Sequence, residues 1–232
     1  MKKLGIIGAM DEEVSILKEK LEAEQVKTIA SMDFHEGKLE GKDVVIVRSG
    51  IGKVNAAVCT QILISVFEVD CVINTGVAGS LRNEINIGDI VLSKDALNHD
   101  MDATGFGYEP GIIPRMEEST FQADEHLMNL AKQVNEEVNT DISTFIGRVV
   151  SGDQFISDAE KKKYLVEKFQ GYCTEMEGAA IAQTAYLNKI PYLVIRAISD
   201  KADNSAEVDY SEFERKAIEH TVKLVTGMTA RM

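Results

Sequence analysis

Carboxylates and one arginine stand at the ends of apolar stretches, where a fold can aim them into a cleft. Asp11, Glu12 and Glu13 follow apolar residues 4–10, Glu177 closes Thr174-Glu175-Met176-Glu177, and Arg196 sits inside the apolar run that ends at Ser199 and Asp200. A carboxylate turned back from the first group would act as a general base. The three acids also have a purely structural reading, because negative side chains in a first helical turn suit the helix dipole. Glu177 is similarly double. Thr174 and Glu177 fit the T-x-x-E capping box. Alternatively, the carboxylate accepts two hydrogen bonds from a vicinal diol, with Met176 as an apolar platform for the sugar. Arg196 is the most informative residue, since a buried guanidinium without a partner is costly. Strand alternation puts Arg196 and Asp200 on one face but about 13 Å apart, so Arg196 needs another carboxylate or a polar cavity.

Several apolar runs end in glycine or an acid: GIIGAMDEE, RSGIGK, NTGVAGS, VVSGDQFI and AISDKAD. Each glycine alone reads as a strand-to-helix turn. Together they favour one crevice beyond the carboxyl ends of parallel strands. Phosphate-binding signatures are missing. The first turn lacks G-x-G-x-x-G, no P-loop or G-x-S-x-G elbow occurs, and the acids at 11–13 would repel a phosphate.

The elements that must position these groups alternate along the chain. Strands are expected at residues 4–10, 43–49, 71–75, 89–93, 144–151 and 191–199. Helices are expected at 11–24, 53–67, 124–138, 158–168, 176–188 and 210–228. Continuous Val/Ile runs between helical patterns predict a single-domain α/β fold over residues 1–232, with a mixed, mainly parallel central β-sheet flanked by α-helices. Residues 99–123 carry no confident element, and a loop that long is usually functional.

The chain has 232 residues, a net charge of −13, and 44% hydrophobic and 27% charged residues, an ordinary globular composition. The acidic balance argues against nucleic-acid binding and against docking on anionic membranes. Cys59, Cys71 and Cys173 lie in apolar stretches without a C-x-x-C, which predicts reduced core thiols and a cytoplasmic protein. The four histidines are scattered, giving a metal site no support. The apolar run at the N-terminus stops at Asp11, too short for a signal peptide or a membrane span.

The segments GIIGAMDEEV, SGIGKVNAA, INTGVAGSL, GDIVLSKDA, HDMDATGFGYEPG, VVSGDQFI, EMEGAAIA and RAISDKAD, in this order between residues 5 and 203, resemble the 5′-methylthioadenosine/S-adenosylhomocysteine nucleosidases of the nucleoside phosphorylase superfamily. Residues 210–213 extend the likeness. The resemblance implies hydrolysis of the N9–C1′ bond of methylthioadenosine and S-adenosylhomocysteine, and also of 5′-deoxyadenosine. Adenine and a 5-thio-substituted ribose would be released for methionine salvage, without cofactor or metal. It implies Glu13 as the group activating water and Asp200 as the acid protonating the purine. It further implies Met176 and Glu177 at the ribose, Phe155 stacked on adenine, and Ile156 reading the base edge through its backbone. Arg196 and Ser199 would support the water and Asp200. Val77, Ala78, Gly79, Met10, Ile51 and Tyr210 would wall the pocket. Ala103, Phe106 and Pro114 would come from the partner in a homodimer. Val77 stands where some members have serine, and Tyr210 where some have phenylalanine.

Such a reaction needs two carboxyl groups on opposite sides of the sugar carbon, the logic of inverting glycosidases. Three other readings remain open: a purine nucleoside phosphorylase, a nucleosidase for another nucleoside such as AMP or futalosine, and a non-catalytic nucleoside-binding protein. In the 99–123 loop, Met101, Phe106, Tyr108, Ile112, Ile113 and Pro114 would leave an apolar patch on a monomer. The loop either meets a second subunit or folds back as a lid over its own site.

Overall fold

The computed structural model describes residues 2–232, apart from the side chains of residues 207, 208 and 211. Residue 211 belongs to the stretch that extends the family likeness. The strands are β1 (Lys3–Gly8), β2 (Glu22–Ile29), β3 (Met32–Leu39), β4 (Lys42–Arg48), β5 (Cys71–Ser80), β6 (Ile90–Asn98), β7 (Phe121–Gln122), β8 (Thr144–Ser151), β9 (Cys173–Glu175) and β10 (Tyr192–Asp200). The helices are α1 (Asp11–Glu19), α2 (Lys53–Val66), α3 (Glu125–Val138), α4 (Ala159–Phe169), α5 (Gly178–Asn188) and α6 (Ala206–Thr229). This is a single-domain α/β fold with one mixed sheet between two helical layers.

The centre of the sheet, β4-β1-β5-β10, is parallel throughout. Alternation along these buried strands feeds both faces. Ile6, Ile73 and Leu193 pack with α1, α3 and α6, whereas Ile7, Val72 and Val194 pack with α2 and α5. Beyond the centre the sheet closes on itself. β10 pairs with both β5 and β6, β6 with β8, β8 with β9, and β9 returns to β5. At its other side the sheet runs out through the hairpin β3–β2.

Several boundaries differ from the sequence pattern. The first helix ends at Glu19, and residues 22–39 form a hairpin instead. Sequence periodicity could not find β2 because its EAEQVKTI run lies almost wholly in solvent and buries no alternating face. Strand β5 continues through Gly76 and Gly79, so NTGVAGS lies in extended backbone and not in a turn. Likewise β6 runs on to Asn98. The helix expected from residue 176 begins at Gly178, after the three-residue strand β9. The last helix starts at Ala206 and not at 210. All three cysteines are buried and free, and burial pushes their thiols up, that of Cys71 to about 12.

Candidate active site

The ends of β1, β5, β9 and β10 and the first turn of α1 surround an open cleft of about 640 Å³, solvent at its mouth included. That size is typical of small-molecule sites. Glu13 enters from α1. Val14 and Leu17 bury one face of this helix against the sheet, which fixes Glu13 at its third position. Its carboxylate turns back over the helix start. One oxygen accepts the N–H of Ala9 (2.6 Å) and of Met10 (3.0 Å), and the other accepts that of Val77 on β5 (3.1 Å). Glu13 is only 2% exposed. Burial raises its pKa, against the pull of the Arg196 charge and these three donors. Gly76 makes the approach possible, because a Cβ there would lie 2.2 Å from both Glu13 Oε1 and Arg196 Nη1.

Asp200 reaches the cleft from the end of β10, where the pairing with β5 shifts register after Ile198. It is 2% exposed. Its carboxylate accepts the Ser199 hydroxyl (2.9 Å) and the N–H of Ala202 (2.8 Å). Burial raises its pKa, against the pull of these two donors.

Glu177 occupies the N-cap position of α5 but makes no side-chain capping bond. Its Oε1 accepts the Gly52 N–H at 2.8 Å. The capping-box alternative therefore does not describe this helix. Glu175 does that work, accepting the N–H of Gly178 (2.8 Å) and of Glu177 (3.1 Å). Glu175 is also the carboxylate that Arg196 required. The Arg196 side chain is 1% exposed, and its Nη2 donates to Glu175 Oε2 and to Asn74 Oδ1, with Glu177 Oε2 at 3.8 Å. Ser151 donates to Glu175 Oε1 and accepts the Ala179 N–H. Reading Thr174-Glu175-Met176-Glu177 for its capping spacing passes over Glu175. The clue to it was the buried arginine, which called for a carboxylate or a polar cavity.

Met10, Ile51, Val77, Ala78, Gly79, Phe155, Met176, Ser199 and Tyr210 line the same cleft, as do Ala9, Thr174 and Glu175, which the sequence had not singled out. Ile156 lies in an adjoining recess with Gly79, Phe155 and Asp200. The Phe155 ring stands edge-on to Tyr210 at 6.1 Å and is 50% exposed, leaving a face open. Tyr210 donates to Glu214 (2.6 Å) and touches Met10 Sδ (3.4 Å). Arg196 sits behind the wall, reaching the cleft through Glu175 and Glu177. Ala103, Phe106 and Pro114 do not line this chain's own cleft, and Phe106 is 88% exposed. The lid alternative, in which the loop covers its own site, is not the arrangement found. Among the described residues, no group of three or more His, Cys, Asp and Glu side chains is placed to hold a metal ion.

Burial, with the neighbouring Glu175 charge, raises Glu177 to about 7. An unfolded glutamate titrates near ~4.3. Between those values the folded chain keeps a proton that the unfolded chain has lost, so stability falls as pH rises. Above about 7 the whole penalty is present. Glu177→Gln is expected to stabilise the unliganded protein at pH 8 by on the order of 1–3 kcal/mol. The gain should fade below about pH 4. Thermal melts across this range check it; a lower melting temperature at pH 8 would mean that the anion stabilises the fold.

A family profile described as the phosphorylase superfamily matches residues 3–230. The chain is 41% identical over 231 residues to the 5′-methylthioadenosine/S-adenosylhomocysteine nucleosidase of a Geobacillus species, covering 99% of each. It superposes with a TM-score of 0.96, at 37% identity and over 100% of both chains, on a crystal structure of the enzyme of that name from Neisseria meningitidis in complex with methylthio-immucillin-A. The native futalosine hydrolase of Helicobacter pylori superposes with a TM-score of 0.94 at 33% identity, covering 100% of this chain and 98% of that one.

Proposed function

The chain belongs to the phosphorylase superfamily, and from that premise we propose that residues 1–232 act as one nucleosidase unit hydrolysing 5′-methylthioadenosine and S-adenosylhomocysteine. The products are adenine and the 5-thio-substituted ribose. A phosphorylase of the same fold would need donors free to hold phosphate beside the sugar. Here the N–H groups of Ala9, Met10 and Val77 are taken by the Glu13 carboxylate. That observation carries the hydrolase reading, because the position is anionic and already satisfied.

Cleaving N9–C1′ leaves positive charge on the ribosyl ring and negative charge on the purine. In our reading Asp200 donates its proton to N7, so adenine leaves neutral. Its other oxygen accepts from the 6-amino group, the acceptor–donor pair that adenine presents. A 6-oxo purine would place an acceptor there instead. Glu13 takes a proton from water attacking C1′ from the opposite side. Glu177 holds the ribose hydroxyls over Met176, Phe155 stacks on the base, and the Ile156 backbone meets its edge. Ser199 orients Asp200, and Arg196 fixes Glu175 and the anionic ribose subsite. The 5′-thioether lies against Met10, Ile51 and Tyr210, a polarisable and largely apolar wall. We further propose a cytoplasmic homodimer serving methionine salvage, with Ala103, Phe106 and Pro114 completing the partner's site. The exposed Phe106, Tyr108 and Ile112 of the loop and Val54 and Val58 of α2 support that face. No helix among the described residues is long and apolar enough to cross a membrane.

The test is product analysis with 5′-methylthioadenosine in phosphate-free buffer containing EDTA. Adenine and free 5-methylthioribose at the full rate are expected. A sugar phosphate formed only when phosphate is added would replace this reading with phosphorolysis, and no product at all with a storage role.

A further inference from the structure

Behind Asp200, a single peptide group joins its carboxylate to a lysine that the mechanism has not used. Lys162 extends from α4, its side chain 14% exposed, and its ammonium donates to the carbonyl of Lys201 at 2.6 Å. The N–H of that same peptide unit belongs to Ala202, and it donates to Asp200 Oδ1 at 2.8 Å. A trans peptide is planar, with its C=O and N–H pointing opposite ways, so fixing one end fixes the other. We propose that Lys162 is a positioning residue for Asp200, holding the Lys201–Ala202 peptide in the orientation that aims its N–H at the carboxylate. The proposal rests on the reading of Asp200 as the acid that protonates the purine.

Two observations show why this peptide needs holding. Ala202 has φ of 51°, the left-handed region that a residue with a Cβ adopts at a cost. Flipping the peptide would return φ to the negative range and relieve that cost. It would also turn a carbonyl oxygen toward the Asp200 carboxylate in place of the N–H. In addition, the segment is pressed on β5, since a Cβ at Gly79 would meet Asp200 Oδ1 at 2.7 Å and Ala202 Cβ at 2.8 Å. The acid thus has little space in which to find another orientation. Lys201 ties the next layer by donating to the Ile85 carbonyl at 2.5 Å. Lys162 has a second neighbour, Asp203 Oδ2 at 3.5 Å, which makes an ion-pair role the competing explanation.

The experiment compares two substrates that share the 5-methylthioribosyl group. Adenine needs a proton to leave, whereas 4-nitrophenolate does not. Lys162→Met is expected to lower kcat on 5′-methylthioadenosine by ~10–100-fold, part of what general acid catalysis supplies, and to leave the 4-nitrophenyl riboside within a few-fold of wild type. Lys162→Arg should restore the adenine reaction. Asp203→Asn, which leaves the carbonyl contact in place, should keep most of it. Equal slowing of both substrates by Lys162→Met would mean a merely structural role and overturn the proposal, as would no slowing of either. The same split produced by Asp203→Asn would also overturn it, in favour of the ion pair. Asp200→Asn is run on the same two substrates. If it slows both alike, the acid reading itself fails; if it splits them and Lys162→Met does not, only the role of Lys162 falls. Thermal melts check folding, and Lys162→Ala, read against the same outcomes, serves if the methionine variant does not fold.

Discussion

Glu13→Gln is expected to slow hydrolysis of 5′-methylthioadenosine by ~10²–10⁴-fold, the range that a positioned general base supplies. The substitution nearly preserves shape. An amide oxygen can keep the Ala9 and Met10 N–H groups, while the amide nitrogen faces the Val77 N–H that Oε1 accepts in the wild type. One hydrogen bond is therefore lost, but a buried charge next to Arg196 is removed with it. The melting temperature should move little, and affinity for adenine should hold if Glu13 works on the sugar side as proposed. Turnover within a few-fold of wild type would remove Glu13 from the role of base.

Mixing that inactive variant with Phe106→Ala is expected to bring activity back. If Phe106 completes the partner's site, a heterodimer gathers both defects in one site and leaves the other intact. After exchange of equal amounts, about a quarter of all sites are whole, from two parents that are each impaired. Phe106→Ala would remove an aromatic wall from the partner's pocket, so the comparison is made at low substrate, where lost binding shows. No recovery after demonstrated subunit exchange would return Phe106 to its own chain, against its 88% exposure there. A stable, fully active monomer in sedimentation would exclude the assembly outright.

Much of this site was legible because its residues announce a cost. Arg196 in an apolar strand needed a carboxylate or a polar cavity, and glycine at several strand ends pointed to one crevice. Glu175 stayed hidden because its spacing to Thr174 and Glu177 imitates a helix cap, and only the fold shows β9 placing it beside Arg196. The central strands were readable from their apolar runs. Their full lengths were not, since Gly76 and Gly79 look like turn residues until the side chains crowding them are known. Hairpin β2–β3 escaped because β2 has no buried face to pattern it. Lys162 belongs to the same class, as nothing local to residue 162 tells that its ammonium meets a carbonyl 39 positions away.

The ring closure described for β5, β10, β6, β8 and β9 leaves those strands paired on both sides, while β2 remains the outermost strand at the open side of the sheet. An unpaired strand margin invites other chains to add to it, as in amyloid and domain-swapped assemblies. Here that margin carries Glu22, Glu24 and Lys27, and its pairing with β3 slips register between Glu22 and Gln25, around Ala23 at φ 55°. Charge and a kink both make it a poor template. The charged run that hid β2 from periodicity thus reads, together with the kink, as protection of the sheet margin against aggregation.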